Sequence, residues 1–117
     1  MDRDPAYLLD MLNAARDIQA MTAGLTWEAF QQSKVHHYAV VKLIENIGEA
    51  ARALSEDTKR AHPEIPWVPL IDMRNHLVHR YFRIDLVLVW DVVQNHIAPL
   101  IARLEPLVPP EQPKPGG

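Results

Sequence analysis

Apolar residues recur at steps of three and four along most of this chain, and almost no window alternates in the manner of a strand, so the pattern predicts an all-α fold. Leu8, Leu12, Ala15, Ile18 and Met21 lie on one stripe and predict a first helix over 5–22, with Gly24 just past its end as a stop. Thr26 offers a side-chain oxygen as the cap of a second helix. That helix carries the longest pattern, Val40, Ile44, Ile47, Ala51 and Leu54. Gly48 inside it costs about 1 kcal/mol relative to alanine, a cost explained if a neighbouring helix approaches closely there. Ser55 caps one short extra turn, and Pro63 and Pro66 interrupt regular structure before a third helix opens near Trp67. Asp85 caps a fourth helix marked by Leu86, Val89, Val93, Ile97, Leu100 and Leu104, which Pro99 should bend. Residues 108–117 hold four of the ten prolines and both terminal glycines, and read as a disordered tail after a bundle over 1–107. An antiparallel four-helix bundle buries these stripes with the fewest long connections.

Composition narrows the picture. At 117 residues with 48% hydrophobic content the chain fits one domain with one core. Arg16, Asp17, Lys42, Glu45 and Asp91 interrupt every apolar run before it could span a bilayer. The first residues, Met1-Asp2-Arg3-Asp4-Pro5, do not resemble a signal peptide, so a cytoplasmic protein without a membrane partner is expected. With no cysteine there is no disulfide, no thiolate chemistry and none of the usual structural zinc sites. A net charge of −3 means that any nucleic-acid contact must be local, which argues against a DNA-coating role.

Candidate chemistry concentrates in Arg74-Asn75-His76-Leu77-Val78-His79-Arg80-Tyr81. A permanent cation with a planar fork of donors, an imidazole that titrates near neutrality and a phenol suit phosphate chemistry without a metal. On an unbroken helix Arg74 and His79 would point about 140° apart. A working site therefore needs the helix to end or distort before His79, or a second chain to complete it. Two-fold symmetry would bring two copies of the segment face to face, and Trp67, Tyr81, Phe82 and Trp90 offer apolar surface for such an interface. Other readings of the same residues stand beside this one. Arg74 could be held in an ion pair with Asp72 or Glu49, His79 could be a buried or capping histidine, and Tyr81 a core edge. His76 and His79 could form half of a metal site completed by His36, His37 or His62. Glu45 and Glu49, one turn apart, read as a solvated face, although Glu49 could also orient Arg74.

Arg74-Asn75-x-x-x-His79-x-Tyr81, with His62-Pro63-Glu64-Ile65-Pro66-Trp67 before it, Phe82 and Val89-Trp90 after it, and Ile44-Glu45-Asn46-Ile47-Gly48-Glu49-Ala50-Ala51 upstream, resembles the HepT-like branch of the HEPN ribonucleases. Asp72 departs from the family pattern, which has glycine before the Met-Arg-Asn run. The resemblance implies the toxin of a two-gene toxin-antitoxin pair: a dimeric, metal-independent endoribonuclease that needs no cofactor. Its catalytic residues would be Arg74 and His79, with Asn75 supporting them and Glu49 or Asp72 orienting them. It further implies an MntA-type minimal nucleotidyltransferase partner that silences the enzyme by transferring AMP to Tyr81. The alternative class is an inactive adaptor that binds and regulates such a nucleotidyltransferase, and a third is a nucleotide- or RNA-binding module without turnover.

Overall fold

The computed structural model describes residues 2–77 and 83–109. Their elements are helical: α1 (Asp4–Thr22), α2 (Trp27–Gln31), α3 (Lys34–Ala53), α4 (Glu56–Ala61), α5 (Trp67–Leu77), α6 (Leu86–Asn95) and α7 (Ile97–Leu104), closed by a 3-10 turn over Glu105–Leu107. α3 is the axis of the bundle, with α1 on one side and α5 on the other; α7 lies along α1, and α6 reaches both α3 and α5. The stripes read from the sequence form the core. Leu8, Leu12, Ala15 and Ile18 of α1 and Val40, Ile44, Ile47 and Ala51 of α3 are buried against one another, with Val89, Ile97, Leu100 and Leu104 from α6 and α7. Met21, Leu86 and Val93 are half-buried at its margin. Gly24 follows α1 with φ +74°, a left-handed conformation that glycine adopts without a Cβ penalty.

Two of the four expected helices are each divided in two. The second breaks at Gln32 and Ser33, because Ser33 caps α3 by accepting the His36 N–H and by meeting His36 Nδ1 at 2.6 Å. The carbonyl freed at Phe30 is used twice: the Ser33 N–H donates to it at 3.1 Å, and His37 Nε2 lies 2.6 Å from it. This break turns Phe30 fully into the core, where its ring meets Trp27, His37 and Trp90. A buried aromatic with every nearby polar group partnered offsets the helical bonds lost at the break. The fourth helix divides at His96. Pro99 has no N–H to offer the Asn95 carbonyl and its ring crowds that turn, so the break falls before the proline, which then occupies the first turn of α7 where no donor is needed.

Polar staples fix the ends. Asp4 Oδ1 accepts the Ser55 N–H at 3.0 Å, while Oδ2 accepts the hydroxyls of Ser55 and Thr58, tying the start of α1 to the start of α4. Ser55 is also the cap of α4, as its sequence position predicts. Trp67, 8% exposed, donates through Nε1 to the carbonyls of Lys59 and His62 and so anchors the start of α5 to the end of α4. Trp67 and Trp90, which the sequence leaves open between core and interface, are engaged in the chain's own packing. Val108 still packs against the core; residues 110–117 of the expected tail lie outside the described residues.

Candidate active site

Gly48 determines where the site forms. A Cβ at this position would stand 2.9 Å from the Leu70 carbonyl oxygen, so the missing side chain is what lets the α5 backbone lie directly on α3. The two helices run antiparallel from that crossing. Three residues back along α3 is Glu45 and four residues on along α5 is Arg74, and their side chains meet with Nε donating to Oε1 at 3.2 Å. Glu45 is three-quarters buried at its side chain, whereas Arg74 is 61% exposed. The bond uses the edge of the guanidinium nearest the stem. Among the described residues, the two Nη groups take no other partner.

The guanidinium borders a small cleft of about 90 Å³ whose wall includes Glu45, Gly48, Glu49, Arg52 and Asn75. Glu49, considered for orienting Arg74, instead lies 3.9 Å from Arg52. Asp72 is also turned away from Arg74. Its Oδ1 accepts the Asn75 side-chain amide at 2.6 Å and its Oδ2 lies 3.0 Å from His76 Nε2. The Asn75 hydrogen bond, aided by His76, holds the Asp72 carboxyl below its usual range. Asn75 is thus bonded to Asp72 within α5. The carboxylate that reaches Arg74 is Glu45, which sequence reasoning placed on a solvated face; counting one turn from the Gly48 crossing would have found it.

The histidines weighed as metal ligands are engaged separately. His36 bridges Ser33 and the Met21 carbonyl, His37 is buried against Phe30, His62 lies 3.4 Å from Glu64, and His76 is with Asp72. Among the described residues, no group of three or more His, Asp or Glu side chains is arranged to hold a metal ion. His79 and Tyr81 fall within residues 78–82, outside the described residues. The chain on either side is joined directly: the Asp85 N–H donates to the Leu77 carbonyl at 2.7 Å.

The sequence profile of the family described as ribonuclease HepT-like matches residues 11–107. The chain belongs to the HepT-like ribonuclease family. It is 34% identical over 100 residues to a Methanocaldococcus jannaschii protein named as a candidate RNase, covering 86% of this chain and 92% of that one. It is 38% identical over 101 residues to a Thermococcus cleftensis protein named probable ribonuclease HepT, with the same two coverages. No solved structure matches the chain. For this HepT-like protein the match takes in α3, α5, α6 and α7 whole, so the Glu45–Arg74 pair and the Gly48 crossing lie inside the matched region. No helix among the described residues is long and apolar enough to cross a membrane.

Proposed function

We propose that this protein is a metal-independent endoribonuclease, the toxin of a toxin-antitoxin pair, acting as a homodimer with Arg74 and His79 as its catalytic residues. The observation that carries the reading is the guanidinium of Arg74: anchored through Nε by Glu45, mostly exposed, and with its Nη groups unpartnered among the described residues in a chain of the HepT-like family. A fork held from one side is preorganised to bind the non-bridging oxygens of a phosphate and to neutralise the charge that develops in a phosphorane. His79 takes the proton of the substrate 2′-hydroxyl as that oxygen attacks phosphorus, and a general acid at the same cleft protonates the departing 5′-oxygen. The P–O5′ bond breaks, leaving a 2′,3′-cyclic phosphate and a 5′-hydroxyl.

The exposed apolar residues Val68, Val87 and Leu88 on α5 and α6 support a second copy as partner more than Trp67 and Trp90 do. Silencing follows if a nucleotidyltransferase transfers AMP from ATP to the Tyr81 hydroxyl with release of pyrophosphate. Bulk and negative charge two residues from His79 would repel RNA and occupy Arg74.

The test is the intact mass of the chain expressed alone and together with its neighbouring gene, followed by RNA cleavage in the presence of a chelator. Cleavage by the chain expressed alone, and a mass increase of one or more AMP units with loss of cleavage on co-expression, is the expected result. No cleavage and no mass change in either sample would overturn the toxin reading in favour of an adaptor that only binds the nucleotidyltransferase.

A further inference from the structure

We propose that the outer ridge of α3 is the track on which single-stranded RNA lies next to Arg74, with Tyr38 stacking on an unpaired base and Lys34 and Lys42 holding the phosphates on either side of it. This rests on the RNA-cleaving reading above and adds a binding surface to it.

Lys34, Tyr38 and Lys42 follow at intervals of four residues, so they share an arc of about 80° and extend about 12 Å along the helix. All three are exposed, and Tyr38 is 66% accessible with Val35, 77% accessible, one turn away. Glu45, eleven residues from Lys34, lies within the same arc, about 20° from it. The ridge therefore leads along one helix face to the carboxylate that anchors Arg74. An exposed phenol ring offers a flat face, and a base is a flat partner that tolerates any sequence.

The charges divide along this ridge in the manner such a track needs. Toward the C-terminal half of α3, Glu49 is matched by Arg52 and Glu45 by Arg74. Toward the N-terminal half, Lys34 and Lys42 form no ion pair among the described residues. In a chain of net charge −3, two unmatched lysines flanking an exposed ring form a local site for a polyanion carrying stackable bases.

The probe is a short, mixed-sequence, 2′-O-methyl oligoribonucleotide with a fluorescent label, which binds but offers no 2′-hydroxyl for attack; anisotropy titrations with the full chain are run at several salt concentrations. Tyr38→Ala should weaken binding about tenfold, while Tyr38→Phe keeps the wild-type value. Lys34→Gln and Lys42→Gln should each lower the slope of log affinity against log salt by about 0.7. Circular dichroism and elution volume should match wild type in all four variants.

Unchanged affinity and slope would overturn the track. So would a Tyr38→Ala loss accompanied by a change in oligomeric state, since the patch would then be a contact between copies of the chain. Cleavage of the unmodified oligoribonucleotide by wild type, measured in parallel, separates the two readings: wild-type cleavage with unaffected variants removes only the track, whereas a wild type that neither binds nor cleaves removes the ribonuclease reading itself.

Discussion

Asp4 and Glu45 are both carboxylates at helix–helix junctions, and the structure uses them in opposite ways. Asp4 is buried and accepts from Ser55 twice and from Thr58 once, its donors coming from the cap and first turn of α4. Among the described residues Glu45 makes one charged bond, and its mostly exposed partner donates only through Nε. The first arrangement is closed and serves the fold. The second leaves unsatisfied hydrogen-bonding capacity at the surface, which is what binding a phosphate requires. Predicted perturbations should therefore separate into those that lower stability and those that lower turnover.

The largest separation is expected from Arg74→Ala and His79→Ala. Each should cut RNA cleavage by about a hundredfold to a thousandfold, the loss typical of removing one transition-state donor or a general base. For Arg74→Ala the melting temperature should stay near wild type, because the removed side chain is exposed. Initial-rate assays alongside thermal melts decide it, and wild-type turnover in either variant would remove that residue from the mechanism.

Asp4→Ala should do the reverse. Leaving the Ser55 N–H and two hydroxyls without their acceptor should cost about 2–3 kcal/mol in denaturant unfolding, with kcat per folded molecule unchanged. Gly48→Ala is the substitution that should blur the contrast. A methyl 2.9 Å from the Leu70 oxygen pushes α5 away from α3 and should cost about 1–2 kcal/mol net, and activity should fall along with stability because the same shift draws Arg74 off Glu45. A stable and fully active alanine variant would show that the crossing does not position the site.

Smaller again is Glu45→Gln, expected to reduce kcat about tenfold with KM and melting temperature little changed, since a neutral partner holds the guanidinium less firmly. The smallest effect lies at acid pH. Ser55, then Thr58, hold the Asp4 carboxyl below its ordinary value of 3.8 against the opposing effect of burial. The unfolded chain therefore binds that proton first, so the stabilisation is complete above about pH 4 and is lost as pH falls through the lower folded value. Urea midpoints of wild type and Asp4→Asn should converge below pH 4; a gap that stays constant would contradict the assignment.

How much of this was legible in the sequence depends on the range of the interaction. The buried stripes of α1, α3 and α6–α7, and the caps at Thr26, Ser55 and Asp85, depend on residues within a turn or two of one another, and local periodicity exposes them. The break at Ser33 was missed because its reason is tertiary: Phe30 must turn inward to meet Trp90, sixty residues later in the chain. Pro99 gave the correct cause of a bend, but the bend is sharp enough to divide the helix at His96. The Glu45–Arg74 pair spans 29 residues, so nothing in the local spacing of either partner marks it. Gly48 was the one legible sign, because a glycine inside a helix points to a close neighbour even when it cannot name it.

The bond from the Asp85 N–H to the Leu77 carbonyl has a consequence for exchanging parts between relatives. It clasps the C-terminal carbonyl of α5 to the cap residue of α6, so Leu77 and Asp85, the two ends of the connection, are held together by the bundle itself. A segment of different sequence or length grafted between those points has no span to bridge, and each doubling of its length adds only about 0.6 kcal/mol of closure entropy. Chain closure is therefore no obstacle to such an exchange, whereas Ile84, which packs against the core, has to be kept for the helices to hold their places.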